Sequence, residues 1–204
     1  MILRILIATV LAAVVLFGWG FLFWVVLPFG MAAMEDEPFG GEAMVAGMTK
    51  VLGDTGVYFL PFPRDPNVAT QEEKDRFEER HREGPLVRVF YNRTGAEPGA
   101  PRLFISGFAH NLGIALLMAI ILAFAAPALP TYLQRLGLVF LVGAVAAIWL
   151  GLNEAIWFYH PWKYELYQAG YVLVGGLLMG LVMAAIIKRP EVRQSVVDRR
   201  TVPL

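Results

Sequence analysis

Residues 103–124 read LFISGFAHNLGIALLMAIILAF, 22 positions with His110 as their single ionisable side chain. A helix rising 1.5 Å per residue crosses about 30 Å of hydrocarbon in roughly 20 residues, so this stretch is long and apolar enough to span a bilayer. Three others share its character: ILIATVLAAVVLFGWGFLFWVVL at 5–27, LGLVFLVGAVAAIWLGLNEAIWF at 136–158, and YELYQAGYVLVGGLLMGLVMAAII at 164–187. The first ends near Gly30, Met31 and Ala32, a passable small-x-small cleavage site, but its apolar run exceeds the roughly 7 to 15 residues of a secretory signal. A retained helix is expected. The chain therefore reads as a mainly α membrane protein with four transmembrane helices and a small α+β extracytoplasmic insertion between the first and second.

Composition agrees with a membrane solvent: 57% of the 204 residues are hydrophobic and 17% charged, and mean hydropathy is +0.58. Seventeen basic and seventeen acidic residues cancel, which argues against nucleic acid as a partner, because a phosphate-binding surface needs a net positive field. Cysteine is absent, so disulfides, thiolate ligands and thiol catalysis are excluded.

Placement of charge sets the expected orientation. Arg4, Arg135, Lys188, Arg189, Arg193, Arg199 and Arg200 fall on one side with only Glu191 and Asp198, whereas the other side carries ten basic and fifteen acidic residues. The positive-inside rule puts both termini in the cytoplasm, with Arg102 as the one dissenting flank. The expected organisation is a first helix in residues 1–29, an outer lobe in 30–102, three helices in 103–187 and a basic cytoplasmic tail in 188–204. That tail suits anionic lipid heads or serves simply as an anchor. So little chain on the cytoplasmic side leaves no room there for an enzyme.

The lobe alternates helix and strand signals. A short helix is expected over 42–52, ended by the turn Gly53, Asp54, Thr55, Gly56. Residues 57–62 and 85–91 are strand-like, and Thr70 with Glu73 forms a capping box opening a charged helix to about Arg82. The expected fold is a two-stranded sheet joined by a helical crossover, with a helix against it. Asp54, Asp65, Asp75 and His81 match no metal-ligand spacing and read as solvated surface. Asn92, Arg93 and Thr94 form a three-residue glycosylation pattern too common to carry weight. A lobe this small is expected to lie on the membrane or on another protein.

Within the spans, Gly143, Ala147 and Gly151 in the third and Gly176, Gly180 and Ala184 in the fourth repeat at four-residue spacing. Such rows let helix backbones approach closely, against each other or against a partner. Gly107, Asn111, Ala115 and Ala119 give the second helix a similar stripe. The polar residues inside apolar stretches are the candidate site: His110, Asn111, Asn153, Glu154 and Gln168, with Trp157 beside them. At 1.5 Å per residue His110 lies about 10 Å below the outer edge and Glu154 about 6 Å. His110 and Glu154 are expected within one hydrogen bond or one water of each other. If a metal or cofactor is held, His110 is the expected ligand, to a haem iron, another metal or a chlorophyll magnesium; which, if any, is left open. Aromatic residues crowd the same level, as an interfacial belt would, or as the lining of an outward-opening cavity.

One resemblance adds to this. The W-x-x-L-P of Trp24, Leu27 and Pro28, the G-V-Y-F-x-P from Gly56 to Pro61, Asn111, the run from Tyr132 to Arg135, and the aromatic-proline corner before the fourth span resemble a family of uncharacterised bacterial four-helix inner-membrane proteins. The corner here, Trp157-Phe158-Tyr159-His160-Pro161, departs from the family's N-W-Y-G-F-P form. The likeness implies a bacterial inner membrane and no particular chemistry. Three functional expectations stand: an accessory subunit packing on other membrane subunits while its lobe docks an outer partner; a ligand or cofactor site, or membrane enzyme, around His110 and Glu154; and, as an oligomer, a transporter.

Overall fold

The computed structural model describes residues 1–63 and 65–188. Met1–Met34, together with the described residues from Pro101 onward, forms one compact unit, and Glu35–Ala100 forms a second. The basic tail expected over 188–204 lies, from residue 189, outside the described residues.

The first unit is a bundle of long helices. Helix α1, Ile2–Phe21, continues through a π-helical turn, Leu22–Val26, and is followed by the short α2, Phe29–Ala32. After the second unit, α5 runs Pro101–Ala125 and ends in a 3-10 turn, Ala126–Ala128. Helix α6, Tyr132–Ala146, passes into a second π turn, Ala147–Gly151, and then α7, Asn153–Trp157. Helix α8 is Trp162–Ile186. Four helices are thus long and apolar enough to cross a membrane: Ile2–Val26, Pro101–Ala128, Tyr132–Trp157 and Trp162–Ile186.

Local sequence explains where they begin. Thr131 caps α6 by accepting from the Gln134 amide at 3.3 Å, while the Gln134 side chain accepts from the Thr131 amide at 3.1 Å. Pro101 and Pro161 open α5 and α8, where a missing N–H costs nothing.

In the bundle α1 packs between α5 and α8, and α8 between α1 and α6. Ala8 and Ala12 of α1 and Ala115, Ala119 and Leu122 of α5 are fully buried, a seam of small side chains that brings helices together without a bulky core. The α6–α8 seam is tighter. A Cβ added to Gly143 would lie 3.1 Å from the Gly176 Cα, and the reverse holds at the same distance. One at Gly151 would meet the Ala169 Cβ at 2.9 Å, and one at Gly180 would meet Leu136 at 2.9 Å. Ala147 and Ala184 are buried. Both small-residue rows are therefore used within the chain, α6 against α8.

Arg135 anchors the end of the bundle where α8 finishes. Nearly buried, it donates from Nε to the Ala184 carbonyl at 3.1 Å and from one terminal nitrogen to the Leu129 and Pro130 carbonyls at 3.0 and 2.9 Å. Carbonyls in the last turn of a helix lack intrahelical partners, and a guanidinium supplies donors in a fixed fork. The Tyr132 hydroxyl adds a bond to the Leu181 carbonyl at 3.1 Å.

The second unit contains α3, Gly41–Val51; β1, Gly56–Leu60; α4, Gln71–Glu83; and β2, Val87–Tyr91. The Thr70–Glu73 capping box opens α4 as the sequence predicts. The strands pair antiparallel, Gly56 opposite Tyr91 and Leu60 opposite Val87. Arg88 lies over the rings of Phe59 and Phe90, 5.0 and 4.9 Å from their centroids, a cation–π contact on one face of the sheet. The expected packing of a helix against this sheet is not made within the unit: no residue of α4 is buried, and among the described residues of 35–100 Gly41 alone is. Glutamate, lysine and arginine all round α4 give it no apolar stripe wide enough to bury. Asn92 accepts from the Thr94 amide and hydroxyl at 3.2 and 3.0 Å, a turn-forming role for that tripeptide.

Candidate functional site

Opposite the Arg135 end, a second group of polar residues collects where α8 begins, and a turn of unusual backbone places it. The π turn Ala147–Gly151 adds a residue to the helical repeat and so re-aims the side chains of α7. Past α7, Tyr159 adopts a left-handed conformation, φ 57°, which reverses the chain. Phe158 and His160 both donate their amides to the Glu154 carbonyl, at 3.0 and 3.3 Å, so the corner closes on the start of α7.

That closure brings His160 between two carboxylates. Its Nδ1 lies 2.8 Å from Glu165 Oε1, and its Nε2 lies 3.8 Å from Glu154 Oε2. Glu165 sits in the first turn of α8 with its side chain 5% exposed, against 19% for His160 and 30% for Glu154. A carboxylate in a first helical turn faces the positive end of the helix dipole, which, with the imidazole, offsets the cost of burying it. Gln168, one turn further along α8, donates to the Tyr164 hydroxyl at 2.8 Å.

The pairing expected of His110 with Glu154 is not the one the structure makes. His110 is exposed, and among the described residues no hydrogen bond or ion pair joins it to Glu154, Asn153 or Gln168. The reason is helical phase. The packed stripe of α5 runs through Ala115, Met118, Ala119 and Leu122, whereas His110 shares its face with Ile114, Leu117 and Ile121, all exposed. Asn111, one residue on, falls on the inner side and is partly buried. Asn153 and Trp157 are exposed. Among the described residues Glu154 is therefore the one candidate that enters an ionic cluster, and its histidine is His160. Among the described residues no three His, Asp or Glu side chains are grouped so as to hold a metal ion.

Glu165 escapes a reading of the sequence because it sits at the edge of an apolar run, where a charge reads as an interfacial flank. A usable signal is present: Pro161 fixes a helix start, so Glu165 falls in the first turn and His160 just before it, within reach of each other.

Next to this corner the aromatic residues pack on one another. Trp19 donates from its indole nitrogen to the Tyr171 carbonyl at 3.0 Å, and its ring lies 6.1 Å from that of Tyr171 in stacked orientation. Phe23 is buried, with centroids 5.1 Å from both Trp24 and Tyr171, and Phe29 meets Tyr167 at 6.4 Å. The first π turn carries Phe23 and Trp24 into this contact. These rings join α1 to α8, an intramolecular role beyond that of a belt.

No protein-family model, no curated protein and no solved structure matches the chain.

Proposed function

We propose that the chain is a non-enzymatic accessory subunit of a membrane complex, with its termini in the cytoplasm of a bacterium and its second unit on the outer face of the inner membrane, docked on an extracytoplasmic partner. One observation carries this reading. Residues 35–100 bury only Gly41 among the described positions and, outside α3 and its approach, expose Phe62, Val68 and Phe90. A stable domain of this size ordinarily buries well over half of its unfolded surface, so such a unit needs a second surface to cover its apolar side chains. The glycine rows no longer add support for a partner, since α6 and α8 use them on each other. Purification in mild detergent from the native host tests the reading: a stoichiometric partner on native gels and by mass spectrometry is expected, and migration of the chain alone refutes it.

The second reading, a ligand or cofactor site at the outer end of the bundle, is favoured by His160 held between Glu154 and the buried Glu165. Its centre moves from His110 to His160, and a partly buried imidazole paired with the buried Glu165 carboxylate is the arrangement that orients a ring nitrogen. An absorption spectrum and elemental analysis of the purified protein separate the two readings. A transporter has the least support, because the ionic cluster lies at one end of the bundle and does not line a path through it.

A further inference from the structure

Helix α3 has an apolar side that its own unit leaves largely uncovered. On an α-helix Met44, Val45, Met48, Val51 and Leu52 fall within one third of the circumference, and Glu42, Ala43, Ala46 and Lys50 occupy the opposite side. Met44, Val45 and Val51 are exposed, and so is Phe39, two residues before the helix. Met48 and Leu52 are half-buried, and among the described residues no strand or helix of the second unit packs extensively on this stripe. An isolated helix of 11 residues is marginal in water, and this one carries Gly41 and Gly47, which weaken it further.

We propose that the apolar side of α3, with Phe39, lies in the headgroup–acyl boundary of the bilayer that the four long helices cross. The inference rests on those helices being inserted. Reach limits what can cover α3. The chain from Met34, the last residue of the helical unit, to Gly41 spans seven steps, about 25 Å when fully extended. The actual path is shorter, because Gly41 donates to the Pro38 carbonyl at 3.0 Å in a turn. A helix so tethered stays near the membrane surface, and the occupant always within its reach is lipid. An interfacial helix buries its apolar face about 5–10 Å into that boundary, the depth a methionine, valine or phenylalanine side chain can use. Charge refines the lipid chemistry. Glu35, Asp36, Glu37 and Glu42 surround the helix start, with Lys50 the one basic residue from 35 to 52. Attachment is therefore through apolar contact, and anionic lipid does not strengthen it.

The absence of cysteine makes the test clean. Single cysteines are placed in the full chain at 39, 43, 44, 45, 46, 48, 50 and 51, spin-labelled and reconstituted in phosphatidylcholine vesicles, and each label's accessibility to oxygen and to a water-soluble nickel chelate is measured. The expected result is a period of 3.6 residues, with high oxygen-to-nickel ratios at 39, 44, 45, 48 and 51 and low ratios at 43, 46 and 50, unchanged or weaker when phosphatidylglycerol is mixed in. A label at Leu117, exposed on α5, serves as the reference for an inserted span. Uniform nickel access along α3, with the Leu117 label in lipid, overturns the inference and leaves the membrane reading standing. A Leu117 label in water overturns both. Protection of α3 from both reagents that disappears as protein is diluted into lipid assigns the face to a second copy and also overturns it.

Discussion

Gly176→Ala tests the closest helix contact in the bundle. The added Cβ would sit 3.1 Å from the Gly143 Cα, whereas carbon atoms in contact prefer about 3.5–4.0 Å. The neighbour is backbone, so no rotamer change relieves the clash, and α6 and α8 must part by about 0.4–0.9 Å near this point. Overpacking of this kind costs about 1–3 kcal/mol. Alanine also favours the helix over glycine by about 1 kcal/mol, which masks part of the strain. Gly170→Ala supplies the correction: it lies in the same helix, and its Cβ would meet nothing within 4 Å. Propensity cancels between the two variants, so Gly176→Ala should be less stable than Gly170→Ala by about 1–3 kcal/mol, the strain alone. Reversible unfolding in bicelles, by steric trapping or detergent titration, reads that difference. Gly143→Ala should behave like Gly176→Ala, and the double variant should cost less than the two single losses together, because helices already parted accommodate the second methyl. If Gly176→Ala falls within about 0.5 kcal/mol of Gly170→Ala, the close approach of α6 and α8 is refuted.

Arg135→Leu removes the donors to the Leu129, Pro130 and Ala184 carbonyls; the same unfolding assay should show a loss on the order of 3 kcal/mol, with Arg135→Lys intermediate because it lacks the fork. A wild-type-like Arg135→Leu would show that water serves those carbonyls equally well. His160→Ala leaves the buried Glu165 without its imidazole and should cost about 1.5–3 kcal/mol, part of which Glu165→Gln in the same chain restores; strict additivity in the double-mutant cycle would mean the two do not interact. Thr70→Ala removes the cap on α4 and should raise amide exchange over its first turn, corresponding to about 1 kcal/mol locally, with the long helices unaffected; unchanged exchange would contradict the capping box.

The long helices were legible because their signal needs no tertiary information. Twenty consecutive apolar residues satisfy their own backbone as a helix and little else in hydrocarbon. The capping box at Thr70 was legible for a related reason: donor and acceptor are three residues apart and find each other without help from the fold. The sheet was half legible. Strand positions followed from residue type, but their antiparallel pairing and the lack of a helix against them depend on contacts between distant segments. The π turns at 22–26 and 147–151 left no trace in composition, since an inserted residue changes phase and not hydropathy.

Phase also explains why the ionic cluster of the structure contains Glu154, as depth suggests, but pairs it with His160 and not with His110. Depth along a helix comes from counting residues, and by depth His110 and Glu154 belong together. Direction around the helix requires knowing which stripe is packed, and α5 offers two plausible ones a single residue apart. Asn111 continues the row Gly107, Ala115, Ala119, whereas His110 continues Ile114, Leu117, Ile121. The small-residue row was visible in the sequence, and requiring the histidine to lie on it would have excluded His110. The same test could not have found His160, which lies on no helix. Its position depends on the left-handed Tyr159 and on Pro161, which turn the chain so that an imidazole just before α8 meets the carboxylate in the first turn of α8 and the one at the start of α7. Where a polar cluster is assembled by a corner, periodicity does not report it, and the informative residues are those that bend the chain.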